Sequence, residues 1–432
     1  MALSIFVSCM WDRRQVYALV SCLVFNGFFG VNKTLLRNQQ RVTLACFLAY
    51  FIMSGMLSPI GVVIPPLATT LGVDHSAAAR LFGWLTLGIL LGSAAAVYAV
   101  SRFSFRALFL VLSLSLVSAM VLLRFSAVAV IIQLSLGLIG VSCGIALAAA
   151  ASVIAASYRE SQRASMLVIT DASFSTAGII VSLLAVYSVA QKWHWSSTYL
   201  VLSCVALGLF ALTISSVFPS QGRAGEQARG GTLQTLIASY RRWSLSIWLC
   251  VLALFLYTLG QYSLLWWLPL HLQSALLVPE EEAGTVVARF WTGMFIAQLF
   301  VAWLVLRVGV RWMMLAGALG ALLGTLPLIL SSNVQLILWL AVLWGFANLG
   351  LLKMVIAFAT TLTSEPTPSL VATLLFGATS GTAVSPFLTS TVVDAFGYSA
   401  VLKFGAVCYG SLLLLLLAST LANELENRKK AG

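Results

Sequence analysis

The sequence predicts an all-α membrane protein whose chain crosses the bilayer twelve times, as two six-helix bundles. Three observations carry that prediction. Of the 432 residues, 61% are hydrophobic and only 8% charged, and mean hydropathy is +1.02, more apolar surface than a soluble core of this length buries. From Val42 onward, apolar windows of about 20 residues recur between short polar breaks, and twelve can be marked. The longest polar break, Pro219 to Arg242, divides those windows six and six.

Residues 1–35 stand apart. A basic pair, Arg13 and Arg14, precedes the apolar run Val16 to Val31, which is short for a span and ends in no small-residue cleavage site. This leader is left unassigned, a start placed too far upstream being one reading of it. The first bundle is expected over 36–218, with spans at 43–67, 78–100, 107–124, 128–157, 165–190 and 197–218. The second is expected over 244–423, with spans at 244–270, 285–306, 312–331, 334–363, 369–394 and 398–422. Residues 219–243 between them, rich in Gly and Arg, suit a flexible cytoplasmic linker, and 424–432 form a short cytoplasmic tail.

The net charge of +12 gathers into no continuous basic patch, which argues against a nucleic-acid surface. The arginines fall instead in alternate loops, Arg102, Arg106, Arg159, Arg163, Arg307 and Arg311 among them, with more in the linker. The positive-inside rule then places those loops, and both ends of the twelve-span core, in the cytoplasm of a cell whose inner (plasma) membrane holds the protein. The seven cysteines lie in or beside apolar segments without metal-ligand spacing, and are expected to pack as small apolar groups.

The two halves repeat. Pro66-Leu67 closes the first span and Arg102-x-x-x-Arg106 follows the second, while Pro269-Leu270 and Arg307-x-x-x-Arg311 recur 203 and 205 residues on. Such duplication is the mark of a transporter that rocks two halves around a central site. Four glycine pairs, Gly88 with Gly92, Gly140 with Gly144, Gly320 with Gly324 and Gly377 with Gly381, have the spacing of close helix crossings. Pro59, Pro65, Pro66, Pro269 and Pro386 are candidate kinks.

Asp171 is the one carboxylate well inside a long apolar segment, Met166 to Val189. It lies about six residues, or roughly 9 Å, into the expected fifth span. An ionised Asp at that depth needs a partner or water, so it is a candidate coupling or gating group, with a static interhelical pair or a helix cap as the bland alternative. Lys353, the only cation deep within a span, is its natural counter-charge from the opposite half, or else snorkels to the interface.

Tyr257 and Gln261 share a face of the seventh span, and Trp344 and Asn348 repeat that spacing in the tenth. Polar faces in lipid turn inward, toward a solute or toward neighbouring helices. These four, with Gln133 of the fourth span, are the candidate solute-binding residues; Ser54 and Ser58 are weaker ones. The histidines and the run Glu280 to Glu282 fall at loop borders. No phosphate-cradling motif and no nucleophile-plus-base constellation occurs, so neither ATP drive nor an enzyme is expected, and no cofactor.

The pattern resembles the major facilitator superfamily, and the two Arg-x-x-x-Arg loops look like a degraded form of its signature loop. Ser101 and Leu306 stand where the signature has an acid, and Gly309 is kept only in the second copy. Arg102, Arg106, Arg307, Gly309 and Arg311 are the candidate signature residues. Thr170-Asp171-Ala172-Ser173-Phe174-Ser175 with Gly178, Leu256 to Gln261, Ala283 to Val287 and Phe290-Trp291 are similar to the TsgA group of that superfamily, over about Arg41 to Leu421. The group is related to fucose–proton symporters, whose seventh span has a similar Tyr-x-x-x-Gln. Where those symporters carry an acid in the first span, Gly61 stands here, and the fourth span has no acid around 144–157, which leaves Asp171 as the substitute.

What the resemblance implies, together with the residues, is a monomeric secondary active transporter of a small organic solute by alternating access, proton-coupled and sugar-like in substrate. Its rivals are an exporter of amphipathic compounds and a non-transporting membrane sensor or assembly partner. Against the exporter, the fifth span lacks the Gly-Pro motif often seen in drug antiporters.

Overall fold

The computed structural model describes residues 33–219, 243–348, 350–363 and 368–431, so the leader before Lys33 and most of the linker lie outside it. The helices are α1 (Lys33–Leu57), α2 (Ile60–Leu71), α3 (His75–Arg102), α4 (Phe105–Phe125), α5 (Ala129–Ser157), α6 (Glu160–Ala190) and α7 (Ser197–Ile214) in the first half. The second half has α8 (Leu245–Leu276), α9 (Glu280–Val308), α10 (Val310–Leu330), α11 (Val334–Asn348), α12 (Leu351–Thr361), α13 (Pro368–Phe396) and α14 (Tyr398–Ala431). Twelve of these stretches are long and apolar enough to span a bilayer, α11 and α12 counting as one. Residues 41–432 form one compact body; of the unit before it, Lys33 to Gln40 is the helical opening of α1.

Two expected spans are broken. The first, expected over 43–67, ends at Leu57 and restarts at Ile60, because Pro59 has no N–H to give and its ring crowds the preceding turn. The tenth stops at Asn348 and restarts at Leu351 after Gly350, whose φ of +83° is a left-handed conformation that favours glycine. The helix of the fifth span, α6, begins at Glu160 rather than 165, while its membrane-length apolar stretch runs Ile169–Ala190, so Asp171 lies near the N-terminal end of that span.

The packing obeys the repeat. In the first half α3 lies on α5 and α4 on α7; in the second α9 lies on α11 and α10 on α14. The backbones approach so closely at Gly88 and Gly140 that an added Cβ would stand 2.4 Å from the Gly137 carbonyl and 2.1 Å from that of Leu85. Gly293 and Gly345 do the same between α9 and α11, at 1.9 Å from Val342 and Phe290 carbonyls, and each lies 205 residues beyond its counterpart. The expected pair Gly320 with Gly324 meets nothing as close; Gly377 and Gly381 press instead on Val251 and Phe255 of α8.

The halves meet along α6 with α9, α3 with α13, and α2 with α8. The loops joining α2 to α3, α4 to α5, α6 to α7, α8 to α9, α10 to α11 and α13 to α14 mark one end of the bundle, here the loop end. The linker attaches at the other, the linker end.

Candidate functional site

Asp171 of α6 and Lys353 of α12 form an ion pair that joins the two halves toward the linker end. Local hydrogen bonds fix the carboxylate's helix. The Thr170 hydroxyl donates to the Met166 carbonyl at 2.7 Å, and the Ser173 hydroxyl reaches both the Thr170 carbonyl at 2.5 Å and the Phe47 carbonyl of α1 at 3.2 Å. Gln298 of α9 binds across the same seam, its amide donating to Ser175 Oγ at 3.0 Å and to the Asp171 carbonyl at 3.4 Å. The side chains of Asp171 and Lys353 remain 28% and 41% accessible, so solvent competes for the pair. Sequence reasoning missed Gln298, although an amide within the apolar run Met294 to Val301 is a readable signal.

Above this pair, Trp291 of α9 packs on α6. Its ring faces Phe174 with centroids 5.6 Å apart and covers Gly178, where a Cβ would stand 2.4 Å from the indole. Phe174 and Gly178 are thus the seat of Trp291, and two motifs far apart in sequence form one contact.

The break between α11 and α12 carries the second cluster. Asn348 is fully buried; its amide donates to the Trp344 carbonyl at 2.7 Å and its Oδ1 accepts from the Tyr409 hydroxyl of α14 at 2.5 Å. Its backbone carbonyl, freed by the break, accepts the Tyr257 hydroxyl of α8 at 3.2 Å. Trp344, also fully buried, tilts against Phe290 at a centroid distance of 4.3 Å. The structure therefore brings Tyr257, Asn348 and Trp344 together, but with the polar groups of Tyr257 and Asn348 already engaged. In this conformation they brace the break. Gln261, one turn beyond Tyr257, differs: it is buried, yet its amide makes no hydrogen bond with the described residues. Gln133 lies half-buried near the loop end of α5, also without such a partner.

The other break has its own donor on α8. Trp266 Nε1 donates to the Leu57 carbonyl at 3.2 Å. Beside it, Gly61 leaves no room for a side chain, because a Cβ there would stand 2.7 Å from the Trp266 carbonyl and 2.9 Å from that of Leu265. An acidic side chain at this position has no space.

The loop end holds further bridges between halves that sequence reasoning did not pair. Arg80 binds Asp394 at 2.7 Å, His75 Nδ1 shares a hydrogen bond of 2.7 Å with the Tyr398 hydroxyl, and the Phe387 ring lies over Gly83. Their partners lie some three hundred residues apart, beyond the reach of any local pattern. In the turn between α6 and α7, burial and the nearby Arg124 charge push the His194 imidazole below its usual range. The Ser196 N–H donates to its Nδ1 at 3.3 Å.

The Arg-x-x-x-Arg loops divide in role. Arg102 is exposed, and Arg106 donates to the Ile214 carbonyl at the end of α7 at 2.9 Å. In the second copy, Arg307 ends α9, Gly309 turns the chain at φ +85°, and Arg311 pairs with Glu424 of α14 at 2.5 Å.

Comparisons with known proteins agree with this architecture. The family model described as Major Facilitator Superfamily matches residues 46–277 and 250–432. Among curated proteins, "Protein TsgA homolog" of Buchnera aphidicola is 22% identical over 380 residues, covering 88% of this chain and 95% of its own. The protein of the same name from Erwinia tasmaniensis is 23% identical over 381 residues, with the same coverage of 88% and 95%. Among solved structures, a point mutant of the nucleoside transporter NupG superposes with a TM-score of 0.73 at 11% identity, covering 88% of this chain and 99% of its own. The D-xylose-proton symporter does so with 0.68 at 17% identity, covering 89% and 97%.

Proposed function

The chain belongs to the Major Facilitator Superfamily, and from that premise we propose that it moves a small hydroxylated organic solute by alternating access, coupled to a proton through Asp171. The observation that carries this reading is the Asp171–Lys353 pair, which ties α6 to α12 across the two halves. While the carboxylate is ionised, the pair latches the linker end. A proton on Asp171 removes the attraction, leaves Lys353 to solvent and lets that end open. The accessibility of both side chains supports the exchange, since a proton must reach the site.

Gln261 supports the solute class. Its amide is uncommitted among the described residues on a residue only 4% accessible, and a hydroxylated ligand can accept from it and donate to it at once. The names of the two structural neighbours, a nucleoside transporter and a xylose symporter, fit the same class. The arginine-rich linker end then faces the cytoplasm, with both ends of the core on that side of the inner membrane.

A thermal-shift screen against sugars, nucleosides, organic acids and amphipathic drugs tests the reading, on the unmodified chain and on Asp171→Asn at several pH values. A ligand that binds only the folded state raises apparent stability by mass action. A sugar or nucleoside should stabilise the unmodified protein with a pH dependence that Asp171→Asn abolishes. A hit confined to amphipathic drugs makes the protein an exporter. Absence of any hit, with Asp171→Asn lowering stability equally at every pH, makes the pair structural and the reading fails.

A further inference from the structure

The repeat puts two arginines at equivalent points, and their surroundings differ. Arg311 opens α10 and meets the Glu424 carboxylate, which α14 supplies by continuing as helix to Ala431. Arg106, 205 residues earlier, opens α4 and reaches toward α7, but α7 stops at Ile214 and, among the described residues, presents no carboxylate to it. Arg106 donates to the Ile214 carbonyl at 2.9 Å, and Arg41 donates to the adjacent Ser215 carbonyl at 3.3 Å. Neither pairs with a carboxylate among the described residues.

Two guanidinium groups thus converge on neighbouring carbonyls of one helix end. Each has five N–H donors in a rigid fork, most of them uncommitted on exposed side chains. An apolar flank adjoins them: Leu44, one turn along α1 from Arg41, is 46% accessible, and Ile214 is 51% accessible. Arg106 and Ile214 lie at the ends of candidate spans and Arg41 in the opening turns of the first, which at the edge of the hydrocarbon is the region of lipid phosphates.

We propose that Arg41 and Arg106 bind the headgroup of an anionic phospholipid, whose phosphodiester takes the place that the Glu424 carboxylate holds in the second half. Guanidinium forks match phosphate oxygens bidentately. Acyl chains lie along Leu44 and Ile214, which a free phosphate would not use. The inference needs only the membrane placement of the chain, so it stands apart from the solute and the proton.

The test counts lipid retained by the whole protein in native mass spectrometry, in phosphatidylcholine nanodiscs titrated with phosphatidylglycerol. Arg41→Ala with Arg106→Ala should weaken phosphatidylglycerol binding about 30-fold, roughly fivefold for each guanidinium. Because both arginines also cap α7, a second variant is needed. Ser215→Glu supplies an internal carboxylate and keeps both arginines, so it should displace the lipid while the thermal midpoint holds. Unchanged phosphatidylglycerol affinity in both variants overturns the proposal. So does displacement of the lipid by inorganic phosphate at comparable concentration, which would make the site one for a free anion.

Discussion

At the scale of single residues, space and charge decide more than residue type. Gly61 illustrates space: with two carbonyls of α8 under 3 Å from any added Cβ, even the smallest side chain must push backbone apart. Gly61→Ala should therefore cost about 1–3 kcal/mol of stability, as overpacked sites do, and Gly61→Asp more, read from thermal unfolding in detergent. A neutral result for Gly61→Asp would mean that α2 and α8 part easily. His194 illustrates charge. Its folded-state pKa lies below the ordinary histidine value, because burial and Arg124 disfavour the imidazolium and Nδ1 is already accepting from Ser196. Protonation thus favours the unfolded chain. Its contribution is fully present above the ordinary histidine pKa and is lost as pH falls through that value toward the folded one. His194→Gln should flatten the fall in thermal midpoint across that window; an unchanged pH profile would assign the effect elsewhere.

At the scale of elements, α8 holds both broken spans. Trp266 caps the carbonyl left at Leu57 and Tyr257 the one left at Asn348, from positions nine residues apart on one helix, or about 14 Å along its axis. A backbone carbonyl freed inside a membrane bundle needs such a donor, since lipid offers none. Tyr257→Phe keeps the ring and removes the bond, so it should lower stability by about 1–3 kcal/mol, the cost of one unsatisfied buried acceptor. It should also raise hydrogen exchange of the backbone around Asn348 to Met354, including the turn that carries Lys353. Exchange confined to global unfolding would show that Asn348 and Tyr409 suffice to hold the break.

At the scale of the whole molecule, the halves are joined at both ends by polar bridges that solvent weakens. Arg80 and Asp394 are 42% and 46% accessible, so their pair contributes no more than about 1 kcal/mol. A bias of that size shifts a two-state equilibrium by about fivefold, enough to tune an opening and too little to lock it. Arg80→Ala should raise the open population at the loop end by up to that factor, and Arg80→Asp, which adds repulsion from Asp394, by more, measured as spin-label distances across the α3–α13 seam. Adding Asp394→Arg to Arg80→Asp should restore it. Failure of the swap to restore would mean that Phe387 on Gly83, and not the charges, holds that end.

Much of this was legible in the chain itself. Composition and apolar windows set the membrane and twelve spans, because a spanning helix must satisfy its own backbone and so writes its length into the sequence. The duplication was visible in the Arg-x-x-x-Arg loops, and Asp171 and Lys353 stood out as charges where hydrocarbon makes charge expensive. Tertiary structure alone decided which polar groups are free and which are engaged. Asn348 and Gln261 look alike as isolated amides in apolar runs, yet one is held by Trp344, Tyr257 and Tyr409 while the other has no partner among the described residues. It alone also decided that Gly293 and Gly345, rather than Gly320 and Gly324, carry the closest crossing of the second half. The physical reason is the same in each case. Burial cost is local and can be read residue by residue, whereas satisfaction and close approach depend on which distant helix the fold brings alongside.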